Sequence, residues 1–165
     1  MKKNIILIIC IIIGLIFNIS VFGSKENLFT SKNELQKKDF EIAELKLGMP
    51  MTEISKVLGN PLKITTDKKK ILCYNYPQLQ IKSFYFEGAP ERTADHIVIL
   101  GKNIKTFRGI GVGDKEKDIF YHYGKTEKIS ERLTYETNFE INFYAISFLM
   151  SNGKVKQIDI YLAAD

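Results

Sequence analysis

The chain has 165 residues, 45% hydrophobic and 26% charged, with 11 Gly, 4 Pro and no Trp. That composition excludes a disordered, collagen-like or low-complexity polypeptide. The formal charge of +5 is modest, and part of it falls on a segment expected to be removed, so a nucleic-acid partner is not expected.

Met1-Lys2-Lys3 makes a short cationic start, Ile5 to Phe17 is apolar apart from Cys10 and Gly14, and Val21-Phe22-Gly23 ends on a small residue before Ser24. This is the three-part pattern of a secretory signal peptide over 1–23, with cleavage after Gly23. Removing the first 23 of 165 residues leaves 142 and lowers Lys+Arg from 24 to 22 against 19 acids, a mature charge of +3. The expected location is secreted or periplasmic. Membrane contact is expected only through an uncleaved signal, since Ile5 to Phe22 is just long enough to span a bilayer. Ile8 and Ile9, not small residues, precede Cys10, which argues against lipidation. Cys73 then remains alone, and one thiol forms no internal disulfide. Set among Ile71, Leu72 and Tyr74, it reads as a buried strand thiol. Residues 24–39 are polar and lysine-bearing and read as a flexible tether.

Sliding the sequence by 65 positions aligns Gly48 with Gly113, Ile54 with Ile119, Gly59 with Gly124, Lys63 with Lys128, Ile64 with Ile129, Ile81 with Ile146 and Gly88 with Gly153. That is 7 identities in the 41 positions from 48 to 88, against roughly two or three expected from ordinary composition. The spacing predicts two repeats, 40–101 and 102–165. In the first, Pro50 suits the start of a helix, Ile54, Val57 and Leu58 form one stripe, and Gly59 with Pro61 stops it. In the second, Asp114 caps a helix over Lys115 to Tyr123, ended by Gly124. Strands follow. Leu79, Ile81, Ser83 and Tyr85 alternate with Gln80, Lys82, Phe84 and Phe86, while Tyr144, Ile146, Phe148 and Met150 alternate with Ala145, Ser147, Leu149 and Ser151. Asn152-Gly153 is a hairpin turn into Val155 to Leu162. Further strands are expected at Ile97 to Leu100, Lys70 to Tyr76 and Leu133 to Ile141. The fold class is therefore α+β, two tandem repeats, each a short helix packed on an antiparallel β-meander.

The segment Leu47-Gly48-Met49-Pro50, then Glu53-Ile54, Val57-Leu58-Gly59-Asn60-Pro61, with the turn Gly153-Lys154-Val155, resembles small envelope proteins of the SmpA/OmlA (BamE-like) type. Two such units in tandem look like the architecture of the beta-lactamase inhibitory protein. The resemblance covers about residues 40 to 162 and implies a non-catalytic protein that binds another protein on the outer face of its sheet.

Motifs that carry chemistry are sparse. His96 lies beside Asp95 at a strand edge, and His122 reads as a partly buried helix residue. There is no HExxH, CxxC or DxDxDG spacing, so no metal or cofactor is expected. Gly109-x-Gly111-x-Gly113 before a helix suggests phosphate binding only weakly, because Asp114 puts a negative charge where an anion would sit. Glu136 and Glu140 could flank a cleft, yet Gly-x-Ser-x-Gly is absent. The candidate partner-binding residues are Tyr74, Tyr76, Phe84, Phe86, Leu149 and Tyr161, taken as an aromatic patch on the uncovered sheet face. Lys68, Lys69 and Lys70 are taken as steering charge. The expected function is an exported non-catalytic module that binds another protein, as an inhibitor-like or envelope-associated interaction protein. A cell-envelope assembly or structural factor is the alternative, and a small secreted enzyme ranks behind both.

Overall fold

The computed structural model describes residues 34–67, 71–84, 91–139 and 142–163. The signal peptide expected over 1–23, Lys68 to Lys70 and Phe86 lie outside the described residues. Ten strands and two α-helices run in the order β1 (Glu41–Ile42), β2 (Leu45–Lys46), α1 (Met51–Leu58), β3 (Lys63–Thr66), β4 (Leu72–Asn75), β5 (Leu79–Ser83), β6 (His96–Ile99), α2 (Glu116–Tyr123), β7 (Lys128–Ile129), β8 (Arg132–Phe139), β9 (Asn142–Ser151) and β10 (Lys154–Ala163). β1 and β2 form a small hairpin. The other eight strands form one antiparallel sheet in the order β3-β4-β5-β6-β10-β9-β8-β7.

This corrects the expected fold class. Among the described residues the fold is mostly antiparallel β, with 47% in strands and bridges and only two short α-helices. It does not divide into two helix-on-meander repeats. The physical reason is the pairing of β6 with β10, Ile99 opposite Ile158 and Ile97 opposite Ile160. That ladder makes the sheet continuous, and the apolar side chains run across it without a break. One row reads Ile64, Tyr74, Ile81, Ile97, Ile160, Ile146, Tyr135. The next reads Leu79, Ile99, Ile158, Phe148, Leu133. A core shared in this way has no seam at residue 101 along which to separate.

The helices cover these rows. Both are eight residues long, too short to persist in water alone, and each is held by one apolar edge. Met51 and Ile54 of α1, and Ile119 and Tyr123 of α2, are buried in the same core cluster as Ile81, Ile97 and Phe148. Val57, expected on that stripe, is instead 41% exposed. Gly59 and Gly124 end the helices at φ 74° and 87°, the left-handed region open to glycine. α2 begins one residue later than expected. Asp118 accepts the Lys115 N–H (3.1 Å), and Asp114 instead closes the preceding turn by accepting the Gly111 N–H (2.8 Å). The glycines at 109, 111 and 113 therefore shape a turn whose carboxylate, Asp114, is shared between the Gly111 N–H and the Lys105 ammonium (3.1 Å).

Residues 35–39, assigned by sequence to the tether, belong to the body. Leu35, Asp39 and Phe40 are buried, and Lys37–Phe40 forms a 3-10 turn. Phe40 packs on Tyr144 and Phe139, ring centroids 5.2 and 6.0 Å apart. Arg108 grips Asp39 with two hydrogen bonds, Nε to Oδ1 and Nη2 to Oδ2, both 2.7 Å. The same guanidinium donates to the His122 carbonyl (2.8 Å) and lies 4.9 Å from the Tyr123 ring centroid. The 3-10 turn, the β1–β2 hairpin and both helices all feed one core, so they share one side of the sheet.

Candidate functional site

The opposite side of the sheet is where the strand period of two places the remaining residues. Among the described residues no helix or strand contributes a covering layer there. One row across this open face reads Lys63, Asn75, Gln80, Val98, Asp159, Ser147, Thr134, and the next Thr65, Cys73, Lys82, His96, Tyr161, Ala145, Glu136. A third begins Gln157, Leu149, Arg132. The face is polar with a few apolar groups, not the aromatic patch expected.

At its centre Asp159 is 3% exposed and saturated with donors. Arg132 Nη1 reaches Oδ2 at 2.7 Å, and His96 Nε2 lies 2.9 Å from Oδ1. Gln157 Nε2 lies 2.9 Å from both oxygens. Burial alone would raise this carboxyl. The hydrogen bonds from His96 and Arg132, the His96 charge and the Gln157 amide outweigh it and hold Asp159 below the ordinary carboxylate value. Arg132 also approaches the Ser147 hydroxyl (3.4 Å), which bonds to Thr134 (3.0 Å). Tyr161 stands beside His96, ring centroids 5.3 Å apart. Burial, then the Glu136 and Asp159 charges, push its phenol up from the ordinary value, so it remains a neutral donor at neutral pH.

A carboxylate so fully engaged is not available as a base or nucleophile. What the cluster does is fix geometry: one buried anion holds an arginine, a histidine and a glutamine in place at the surface. Beside them a groove of about 400 Å³ is lined by Thr126, Glu127, Ile129, Arg132, Thr134 and Glu136. Among the described residues no group of three or more His, Cys, Asp or Glu is placed to hold a metal.

The expected site residues divide. Leu149 and Tyr161 are on the open face, half-buried, next to the Asp159 cluster. Tyr74 and Tyr76 are not. Tyr74 pairs with Ile81 and therefore shares the helix-covered face, and Tyr76 is buried in the core cluster. Tyr76 is therefore core, and Tyr74, half-buried, packs against the core cluster instead of lying on the open face. Phe84 is half-buried just after β5, its N–H held by the Asp95 carboxylate at 2.7 Å. His122 is exposed rather than partly buried, and Glu136 sits on the open face while Glu140 lies outside the described residues. Asp159, Arg132, Gln157, Ser147 and Thr134 were missed. The alternation of Ile158, Ile160 and Leu162 already assigned Gln157, Asp159 and Tyr161 to one face. Nothing local could pair Asp159 with His96, 63 residues away.

No protein-family model matches the chain, and no curated protein matches it. Among solved structures the chain is similar to an extracellular protein containing a SCP domain from Bacillus anthracis str. Ames, with 11% sequence identity and a TM-score of 0.47, over 79% of this chain and 48% of that one. The chain thus spans about half the length of that protein. Among the described residues no helix is long and apolar enough to cross a membrane.

Proposed function

We propose that the protein is an exported, non-catalytic module that binds another protein through the open face of its sheet. One observation carries the reading: the Asp159 cluster presents Arg132, His96 and Gln157, with Tyr161 and Leu149 alongside, on a face that no described element covers. Arginine and tyrosine dominate binding hot spots. Side chains already locked by hydrogen bonds lose little entropy on association, which favours affinity. The groove beside Arg132 gives a partner side chain somewhere to enter. Export rests on the pattern of residues 1–23, and the likeness of Leu47–Pro61 to the SmpA/OmlA type supports a binding role over a catalytic one.

The test is capture from an envelope extract of the source cells. Immobilised wild type and a Tyr121→Ala control, altered on the exposed side of α2, should retain the same protein. Leu149→Glu with Tyr161→Ala should lose it while melting within a few degrees of wild type. Equal capture by the open-face variant, or capture of nothing by wild type, overturns the proposal.

A further inference from the structure

The groove beside Arg132 lies at the β7–β8 end of the open face. Ile129 of β7 stands opposite Arg132 of β8. The Thr126 hydroxyl donates to the Thr134 carbonyl (3.5 Å), which draws residues 126–127 alongside Thr134. Strand alternation sends Arg132, Thr134 and Glu136 to this one face, and Glu127 and Ile129 complete the lining. Arg132 is the fixed member. Its side chain is 38% exposed, and Nη1 is spent on Asp159 Oδ2 (2.7 Å) and the Ser147 hydroxyl (3.4 Å). Among the described residues nothing accepts from its Nε or Nη2. One whole edge of the planar fork is left, the kind of edge that takes a carboxylate bidentately. Asp159 offsets the guanidinium charge but leaves those donors free, and it fixes the plane in which they lie. Glu127 and Glu136 are exposed, and neither has a hydrogen-bond or ion-pair partner among the described residues.

A bare anion is drawn to the Arg132 fork and repelled by the two glutamates, and a bare cation meets the reverse. We infer that the groove takes an extended segment of the partner protein carrying an acidic and a basic side chain two positions apart. The acidic carboxylate accepts from Nε and Nη2 of Arg132. The basic group lies between Glu127 and Glu136. Ile129, 66% exposed, receives the methylenes of the acidic side chain. The spacing follows from strand geometry. Side chains at i and i+2 of an extended chain share a face about 7 Å apart, the same interval that separates Arg132 from Thr134. Glu127 stands beside Thr134 and Glu136 beyond it, so a cation at that distance meets both carboxylates. This inference rests on the open face being the partner surface, and it names what the partner presents there.

The test is a magnetic-resonance titration of isotope-labelled residues 24–165 with the end-blocked pentapeptide Thr-Glu-Thr-Lys-Thr. Its comparison peptides carry Gln for Glu, Gln for Lys, or both. The first peptide should shift the amides of residues 127–136 and the Arg132 Nε–H with a Kd of about 1 mM. Losing the peptide's Glu should weaken binding about tenfold. Losing its Lys should weaken it about threefold, because exposed carboxylates are screened. Arg132→Lys keeps a cation beside Asp159 but not the fork, and should abolish the preference for Glu over Gln. Glu127→Gln with Glu136→Gln should abolish the preference for Lys and keep that for Glu, a separation that loss of folding would not produce. Equal binding of all four peptides, or no shifts at ten times the expected Kd, overturns the inference. The open-face reading fails separately, in the capture by Leu149→Glu with Tyr161→Ala, since neither residue lines the groove.

Discussion

Replacing Arg108 with alanine tests how the N-terminal segment is attached. Asp39 is 1% exposed and Arg108 12%, and the paired guanidinium and carboxylate satisfy each other through two parallel hydrogen bonds. Without Arg108, the Asp39 carboxylate keeps, among the described residues, only the Gln36 N–H (2.8 Å) and remains away from water. Orphaning one member of a buried pair costs about 3–5 kcal/mol. The lost hydrogen bond to the His122 carbonyl adds about 1 kcal/mol. On a body of this size the total corresponds to a fall in Tm of about 10 °C or more. Asp39→Ala should cost less, because Arg108 keeps the His122 carbonyl and the Tyr123 ring. The double variant should cost less than the sum of the singles, which urea unfolding of all four proteins would measure. Trypsin should also cut Arg108→Ala faster after Lys37 and Lys38, since Leu35, Phe40 and Ile42 depend on the same anchor. A loss below about 1 kcal/mol in Arg108→Ala would refute the reasoning and show that apolar packing alone holds the segment.

Two further outcomes follow from the turns and from Asp159. The Asp159 carboxyl is held below its ordinary value, so its stabilisation is present above the unfolded carboxylate pKa of about 3.9 and is lost as pH falls through the folded value. Wild type should therefore lose urea resistance below about pH 4 more steeply than Asp159→Asn, and equal acid slopes would count against the cage. Ser130 and Glu131 make the two-residue β7–β8 turn at φ 48° and 62°, where Asn-Gly is preferred. Ser130→Asn with Glu131→Gly should raise stability by about 1 kcal/mol, read as a higher urea midpoint.

The helices were legible because their punctuation is local. Gly59 with Pro61, and Gly124, stop the chain wherever the rest of the fold lies. The alternation through Ile81, Ile146 and Ile158 was legible for the same reason. Strand parity says which residues share a face, but not which face the helices will cover, and that is why Tyr74 was misplaced. The turns at Ala43-Glu44 and Ser130-Glu131 carry no glycine, yet both residues of each take positive φ, so their hairpins gave no signal, unlike Asn152-Gly153. The Asp39–Arg108 grip and the Asp159 cluster join residues 69 and 63 apart, and only the folded sheet brings them together. The repeat spacing is a real feature of the sequence, but it does not report that β6 and β10 would pair.

That pairing sets the order in which the molecule can be made. Until β10 exists, β6 has a bare flank, and Ile97 and Ile99 lack their main neighbours. β9, which fills most of the other half, is likewise missing its longest partner. β3 to β6 can pair with one another before then, but the eight-stranded sheet closes only once residue 163 is in place. Late closure makes the ten-residue β10 the latch between the two halves of the sheet.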